Sequence, residues 1–303
     1  MWFKNLFIYR LNNWTDTAET LDDKLAKDAL APCGGGDLMT RGWVPPKADG
    51  LPLVHSCGKH LLISLGMEKR LLPASVIKQF TAARVADIEE REGYKPGRKQ
   101  VKEIKEAVTT ELIPRAFVIR SRTSAWLDPV GGWLFIDAGS ATKAEDLMGQ
   151  LLKSVAGLSV TPLRTTVSPS TAMTNWLVDG DSPRQFSVDQ DCELRGRGEQ
   201  AATVRYVKHA LDSDEIVRHI KGGKVVTRLA MTWADRVSFT LHENLQIKKI
   251  APLDVLKETA DNDPDSDAFD TDVALMTGEL PKLLDALVQA LEGEMVTPAQ
   301  KVA

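Results

Sequence analysis

The sequence predicts an α+β fold of mixed antiparallel sheets with packed helices and a helical hairpin. Three observations carry that expectation. Strand-like runs bounded by Gly, Pro and Asp recur in both halves of the chain, and some are close enough to read as a hairpin and a meander. Helical periodicity comes in blocks between them without a strand–helix–strand rhythm, which disfavours a doubly wound parallel sheet. Two long helical patterns also adjoin across a Gly/Pro turn with no strand between them.

The elements follow in order. Trp2–Leu11 reads as a strand; it lacks the long apolar core and small-residue cleavage site of a signal peptide. A helix spans about Thr17–Leu30, with Leu21, Leu25 and Ala29 on one face, and Pro32 ends it before a Cys33-Gly34-Gly35-Gly36 loop. Trp43-Val44-Pro45-Pro46 reads as a rigid turn and His60–Gly66 as a short strand. From Pro73, Val76, Ile77, Phe80, Val85 and Ile88 mark a helix that fails near Gly93-Tyr94-Lys95-Pro96-Gly97. A second helix through Val101, Ile104, Val108 and Leu112 stops before Pro114, giving a basic helical hairpin over 74–113. Val118–Leu127 and Trp133–Asp137 flank Asp128-Pro129-Val130-Gly131-Gly132, a hairpin signal, and Ser140 or Thr142 caps a helix to Val155.

The proline-punctuated stretch Thr161–Pro169 divides an N-terminal α+β region, 1–165, from a C-terminal one, 166–303. In the second region Ser170–Val178 is helical, and Cys192–Arg195 and Ala201–His209 are strand-like. Asp212 or Ser213 caps a short helix, Asp214–Lys221, closed by Gly222-Gly223. Val225–Met231, Val237–Leu241 and Leu245–Ile250 form a meander; an acidic linker, 261–272, and an amphipathic helix, Leu280–Leu291, complete the chain.

Charge is segregated. The formal net charge is only −4, yet residues 68–122 carry 13 Lys/Arg against 8 Asp/Glu, and 195–250 carry 11 against 6. Residues 123–194 hold 4 against 9, and 251–303 hold 3 against 12. Cationic blocks within a slightly acidic chain suggest a basic surface aimed at a polyanion. The plainer reading is a solvated sheet face, since single exposed charges mean little.

Other chemistry finds little support. Three scattered cysteines, Cys33, Cys57 and Cys192, fit a reducing cytoplasm, and no run reaches the roughly 18 apolar residues of a membrane span. Gly34-Gly35-Gly36 lacks phosphate-loop spacing. The Asp261–Asp272 stretch imitates a calcium loop, but Ser266 replaces its glycine, Pro264 interrupts it and Asp272 stands where Glu would close it. The five histidines show no metal-ligand pairing, and there is no nucleophile elbow. The expectation is a non-enzyme without catalytic residues, metal or cofactor.

The candidate binding residues lie in the basic blocks. Arg205, Lys208, Lys221, Lys224 and Arg228 lie on or beside strands and a helix C-terminus, with Arg195 and Arg197 nearby. Alternation puts Arg205, Val207 and His209 on one face, and Lys224, Val226 and Arg228 together. Gly222-Gly223 would free backbone amides for a phosphate. Arg98 and Lys99 lie at the hairpin loop, with Lys95. Phe117, behind Arg115, is either core or an apolar finger at a nucleic-acid surface or a neighbouring subunit.

Several segments resemble the bacterial recombination-associated RdgC family. They are Trp2-Phe3-Lys4-Asn5-Leu6, Pro32-Cys33-Gly34, Gly42-Trp43-Val44-Pro45-Pro46 and Leu72-Pro73 with Val76-Ile77-Lys78-Gln79. Leu112-Ile113-Pro114-Arg115-Ala116-Phe117, Cys192-Glu193-Leu194-Arg195, Gly223-Lys224-Val225-Val226-Thr227 and Leu275-Met276-Thr277-Gly278-Glu279-Leu280 continue the match in order. The resemblance implies a non-enzymatic, non-sequence-specific binder of double-stranded DNA that encircles the duplex as a ring-shaped homodimer, modulates RecA-dependent recombination and resides in the cytoplasm on the nucleoid. It implies that Lys208, His209 and Lys224 line the ring, that Phe117 lies near its closure, and that the Arg98 and Lys99 loop touches DNA. His209 departs from relatives with Gln there. The alternative is a nucleoid-associated interaction protein acting through its acidic segment.

Overall fold

The computed structural model describes residues 1–196, 198, 201–211, 214–256 and 267–295. In chain order they form β1 (Asn5–Asn12), α1 (Ala18–Ala26), β2 (Met39–Val44), β3 (Val54–Cys57), β4 (His60–Leu71), α2 (Ala74–Glu92), α3 (Arg98–Leu112), β5 (Phe117–Asp128), β6 (Trp133–Asp137), α4 (Ala141–Ser154) and β7 (Ser159–Pro162). The second half adds α5 (Pro169–Asp179), β8 (Phe186–Arg195), β9 (Thr203–Tyr206), α6 (Asp214–Lys221), β10 (Val225–Trp233), β11 (Val237–His242), β12 (Ile247–Pro252) and α7 (Ala268–Ala290).

One antiparallel sheet runs through the molecule in the order β2-β4-β5-β6-β1-β12-β11-β10-β8-β9, with β3 on β4 and β7 on β1. β1 is the seam between the halves. It pairs with β6 through Leu6–Arg10, while its other neighbours are β12 (Asn5↔Lys248, Leu6↔Ile247) and β7 (Tyr9↔Pro162 to Asn12↔Ser159). The α+β expectation holds.

Each face can be followed through its cross-strand rows, because directly opposite residues project to the same side. On one face, Leu6, Ile247, Leu241, Leu229, Cys192 and Tyr206 are successive partners, all buried. They share a core with Leu62, Trp126 and Phe135 from the first half, under α5, α6 and α7 (Met173, Ile216, Met276, Leu280, Leu283 and Leu287). On the opposite face, Leu21 and Leu25 of α1 and Ala144, Leu147 and Leu151 of α4 cover Ile63, Ala125, Leu127, Leu134 and Ile136. The first half of the sheet is thus buried on both sides around Ile63, Ala125–Leu127 and Leu134–Ile136, while Phe117–Arg122 of β5 stay exposed. In the second half the same face carries polar side chains.

Several elements differ from expectation. Trp43 and Val44 end strand β2 and do not form a turn; Gly42 precedes them because a Cβ there would lie 2.4 Å from the Leu30 backbone nitrogen. β3 was not expected, and β4 continues through Gly66 to Leu71. α7 starts at Ala268, capped by the Asp267 side chain accepting from Phe269 N–H, so the linker ends earlier than 272. Pro281 lies inside α7, where its missing N–H and its ring make the pattern look like a helix start at Leu280. The helical hairpin is present as α2 and α3, separated by Gly93 in the left-handed region at φ 72°. Only Thr81 of α2 is buried, so the hairpin stands away from the core. The Asp212 or Ser213 cap lies outside the described residues, as does Arg197.

Candidate nucleic-acid interface

The polar face of the second half is built by alternation. β11 buries Val237, Phe239 and Leu241 and turns Thr240 and His242 outward; β10 buries Leu229, Met231 and Trp233 and turns Arg228 outward. Arg205↔Glu193, Glu193↔Arg228 and Arg228↔His242 are cross-strand partners, so these four form one row over β9, β8, β10 and β11. Lys248 and Asn5 continue the polar face across the seam, with Thr240 opposite Lys248. Between these side chains lies an open cavity of about 370 Å³.

Glu193 organises the row. It is only 4% exposed. Its Oε2 accepts from Arg205 (Nε 3.1 Å and a terminal nitrogen 2.5 Å), and an Arg228 terminal nitrogen lies 3.2 Å from the same oxygen. Its Oε1 accepts from the Thr227 hydroxyl at 3.1 Å, with Arg195 at 3.8 Å. Burial pushes the carboxyl up, but the Arg205 hydrogen bonds and the Arg228 charge outweigh it and hold Glu193 below the usual range. Neighbouring His242 is driven down to about 4, first by burial and then by the charges of Arg228 and Lys248.

The parity expected for the flanking cations is corrected. A bulge between Val226 and Arg228 resets β10, so Val226 enters the core while Arg228 joins the polar face. Lys224 instead approaches α6, its Nζ 3.3 Å from His219 Nδ1. β9 ends at Tyr206, and Lys208 turns through φ 53° with its N–H donating to Asp191 Oδ1 at 2.9 Å. That turn carries His209 onto the Tyr206 ring, centroids 5.2 Å apart, away from Arg205. The glycine amides are not free either: Gly222 donates to Arg218 O and Gly223 to Ile220 O, closing α6 with Gly223 at φ 91°. Lys208 is exposed in the turn after β9, and Lys221 is exposed at the end of α6, outside the row of Arg205, Arg228 and Lys248.

The first-half candidates lie elsewhere. Phe117 is 82% exposed, so the reading of it as core is excluded; it heads an exposed apolar strip with its cross-strand partner Leu71 and with Ile119, while exposed Val118 lies on the other face of β5. Arg115 precedes it, exposed at the end of a 3-10 turn, Ile113–Arg115, whose Ile113 is buried. Arg98 and Lys99 open α3 at the far end of the hairpin, separated from Phe117 by the length of α3, roughly 22 Å at about 1.5 Å per residue. Five strand steps separate β5 from β10, about 24 Å at roughly 4.8 Å per step. One subunit therefore does not bring these groups together.

The described end of the acidic segment is paired internally. Lys47 bridges Asp267 and Asp270 at 2.8 Å each, His55 Nε2 lies 2.8 Å from Asp270, and the Met1 amino group meets Asp272. Residues 261–266, including most of the calcium-loop imitation, lie outside the described residues. Among the described residues no three His, Cys, Asp or Glu side chains gather as a metal site, and no helix is long and apolar enough to cross a membrane. Burial pushes the Cys192 thiol up to about 12.

Residues 1–294 match the family model described as "Putative exonuclease, RdgC". The recombination-associated protein RdgC of Herminiimonas arsenicoxydans is 53% identical over 297 residues, covering 97% of this chain and 99% of that protein. The proteins of that name from Janthinobacterium sp. (strain Marseille) and Bordetella pertussis are 53% and 50% identical over the same shares of each chain. The chain belongs to the RdgC family. The family's two descriptions differ, one naming an exonuclease and the other an association with recombination.

For this RdgC-family chain, sequence reasoning found the cations but missed Glu193, His242 and Lys248. Glu193 was readable in part. It alternates with Cys192 and Leu194, which predicts opposite faces for them, but the guanidinium clamp depends on pairing with β9 and β10 that no local pattern encodes.

Proposed function

We propose that this protein binds double-stranded DNA without sequence preference, as a homodimer that encloses the duplex, and that by occupying DNA it restrains RecA during recombination. The observation that carries the reading is the polar face of β8–β12, which no helix covers among the described residues and where Arg205, Arg228, Lys248 and Lys249 gather in a chain of net charge −4. DNA presents about one charge per 1.7 Å, and neutralising its phosphates releases counterions, so cations without a base-reading element suit binding that ignores sequence. The homodimer and the action on RecA rest on the family resemblance. The exposed strip headed by Phe117 supplies apolar surface of the kind that meets another subunit.

Nothing in this reading requires bond cleavage; association with recombination, the relatives' printed description, is compatible with binding alone. Two measurements test it together. Molar mass in solution should be twice 33.3 kDa, and covalently closed circular duplex should retain the protein longer than linear duplex of equal length. A monomer, or equal retention on both, contradicts enclosure. Supercoiled plasmid incubated with the protein and Mg²⁺ or Mn²⁺ should stay intact; nicking or end resection contradicts the non-enzymatic reading.

A further inference from the structure

The cavity over β8–β12 holds more cationic capacity than its own carboxylates use. Arg205, Arg228, Lys248 and Lys249 line it against Asp191 and Glu193. Asp191 is engaged by the Lys208 N–H, and both Glu193 oxygens are already taken. A guanidinium has five N–H donors. Arg205 uses its Nε and one terminal nitrogen on Glu193, while Arg228 approaches through one terminal nitrogen. Lys248 donates to Gly139 O at 3.3 Å and keeps two further ammonium hydrogens. Glu193 is too buried to leave or to meet a ligand, so it acts as a fixed anchor that holds two guanidinium groups side by side.

We propose that this cavity seats one phosphate group, bound by Arg205, Arg228 and Lys248. Paired guanidiniums with outward N–H groups match the oxygens of a tetrahedral oxyanion, and the Lys248 ammonium, which lines the same cavity, adds a third cation. Within the DNA-binding reading, on which the source of the phosphate rests, the seat grips one backbone phosphate and so fixes the position of the strand on the sheet. A free phosphate anion offers the same chemistry. His242 is a reporter within the seat: it faces Arg228, Lys248, Lys249 and Glu193, and an anion placed among those cations moves its resonances.

The test follows the imidazole signals of His242 and the guanidinium signals of Arg228 by NMR at pH 6. The full-length protein is titrated with inorganic phosphate and, separately, with a short blunt duplex. Saturable shifts with both probes, and competition between them, support a seat for backbone phosphate. Shifts with inorganic phosphate alone support a seat for a free anion. Arg228→Gln and, independently, Lys248→Gln should each weaken phosphate binding about tenfold, as expected for loss of a charge-assisted contact; Lys153→Gln, on α4, should not. Duplex retardation with neither residue's signals moving overturns the seat and leaves DNA binding intact. Phosphate shifts without any duplex retardation overturn the DNA-binding reading and leave the seat.

Discussion

The two halves of the sheet share one hydrogen-bonded ladder but treat their second face in opposite ways. In β5 and β6, Ala125, Trp126, Leu127, Leu134, Phe135 and Ile136 are all buried, because α1 and α4 cover one side and α7 reaches the other. In β10 and β11 buried and half-buried positions alternate, because among the described residues helices cover one side only. Covering the second face adds apolar burial worth about 25 cal/mol per Å². Leaving it open forgoes that gain and allows Arg228, Arg205 and Lys248 to stand on rigid strands. The comparison identifies where the fold invests in stability and where it leaves room for a ligand.

The largest expected effect breaks the open face at its anchor. Glu193→Ala leaves neighbouring, solvent-accessible guanidiniums without their carboxylate and should cost about 1.5–3 kcal/mol in urea unfolding, the range for hydrogen bonds to a charged group. A loss below about 1 kcal/mol would show that the row does not depend on this group. Acid should reproduce part of that loss. The folded pKa of Glu193 lies below its unfolded value, so its stabilisation is complete above the ordinary carboxylate range and disappears as pH falls through the folded pKa. The thermal midpoint of Glu193→Gln should accordingly decline less than that of the parent between pH 6 and pH 4; parallel curves contradict this.

Smaller effects sharpen the contrast. Phe117→Ala removes an exposed ring and should change monomer stability by less than about 0.5 kcal/mol, as surface substitutions do, while reducing the dimer fraction in light scattering. An unchanged dimer would take Phe117 out of the subunit contact. Smallest of all, Lys153→Gln removes the 2.7 Å pair with Asp28 on the covered half. It should alter stability by no more than about 1 kcal/mol, the value of an exposed ion pair, and leave DNA affinity unchanged in gel retardation.

Most elements were legible because they depend on local rules. Leu21 and Leu25 mark α1, Pro114 stops α3 and the Asp128–Gly132 turn joins β5 to β6. Elements that broke local rules were not legible: β2 carries a glycine forced by the approach of Leu30, and α7 continues through Pro281. At the candidate site, the charge blocks disclosed which residues are cationic but not where they point. The β10 bulge and the left-handed Lys208 sent Lys224 and His209 away from the partners that strict alternation assigned them. Both are single-residue changes of parity, and a pattern of period two cannot register them.

The central claim is that duplex phosphates meet the cations of the second half. The most direct test is the slope of log affinity against log salt for a duplex of fixed length. Parent protein is compared with Lys208→Ala/Lys248→Ala and with Lys143→Gln/Lys153→Gln on α4. The account predicts a slope smaller by about 0.9 for each lysine removed in the first pair and an unchanged slope in the second. Equal slopes in all three proteins would contradict it.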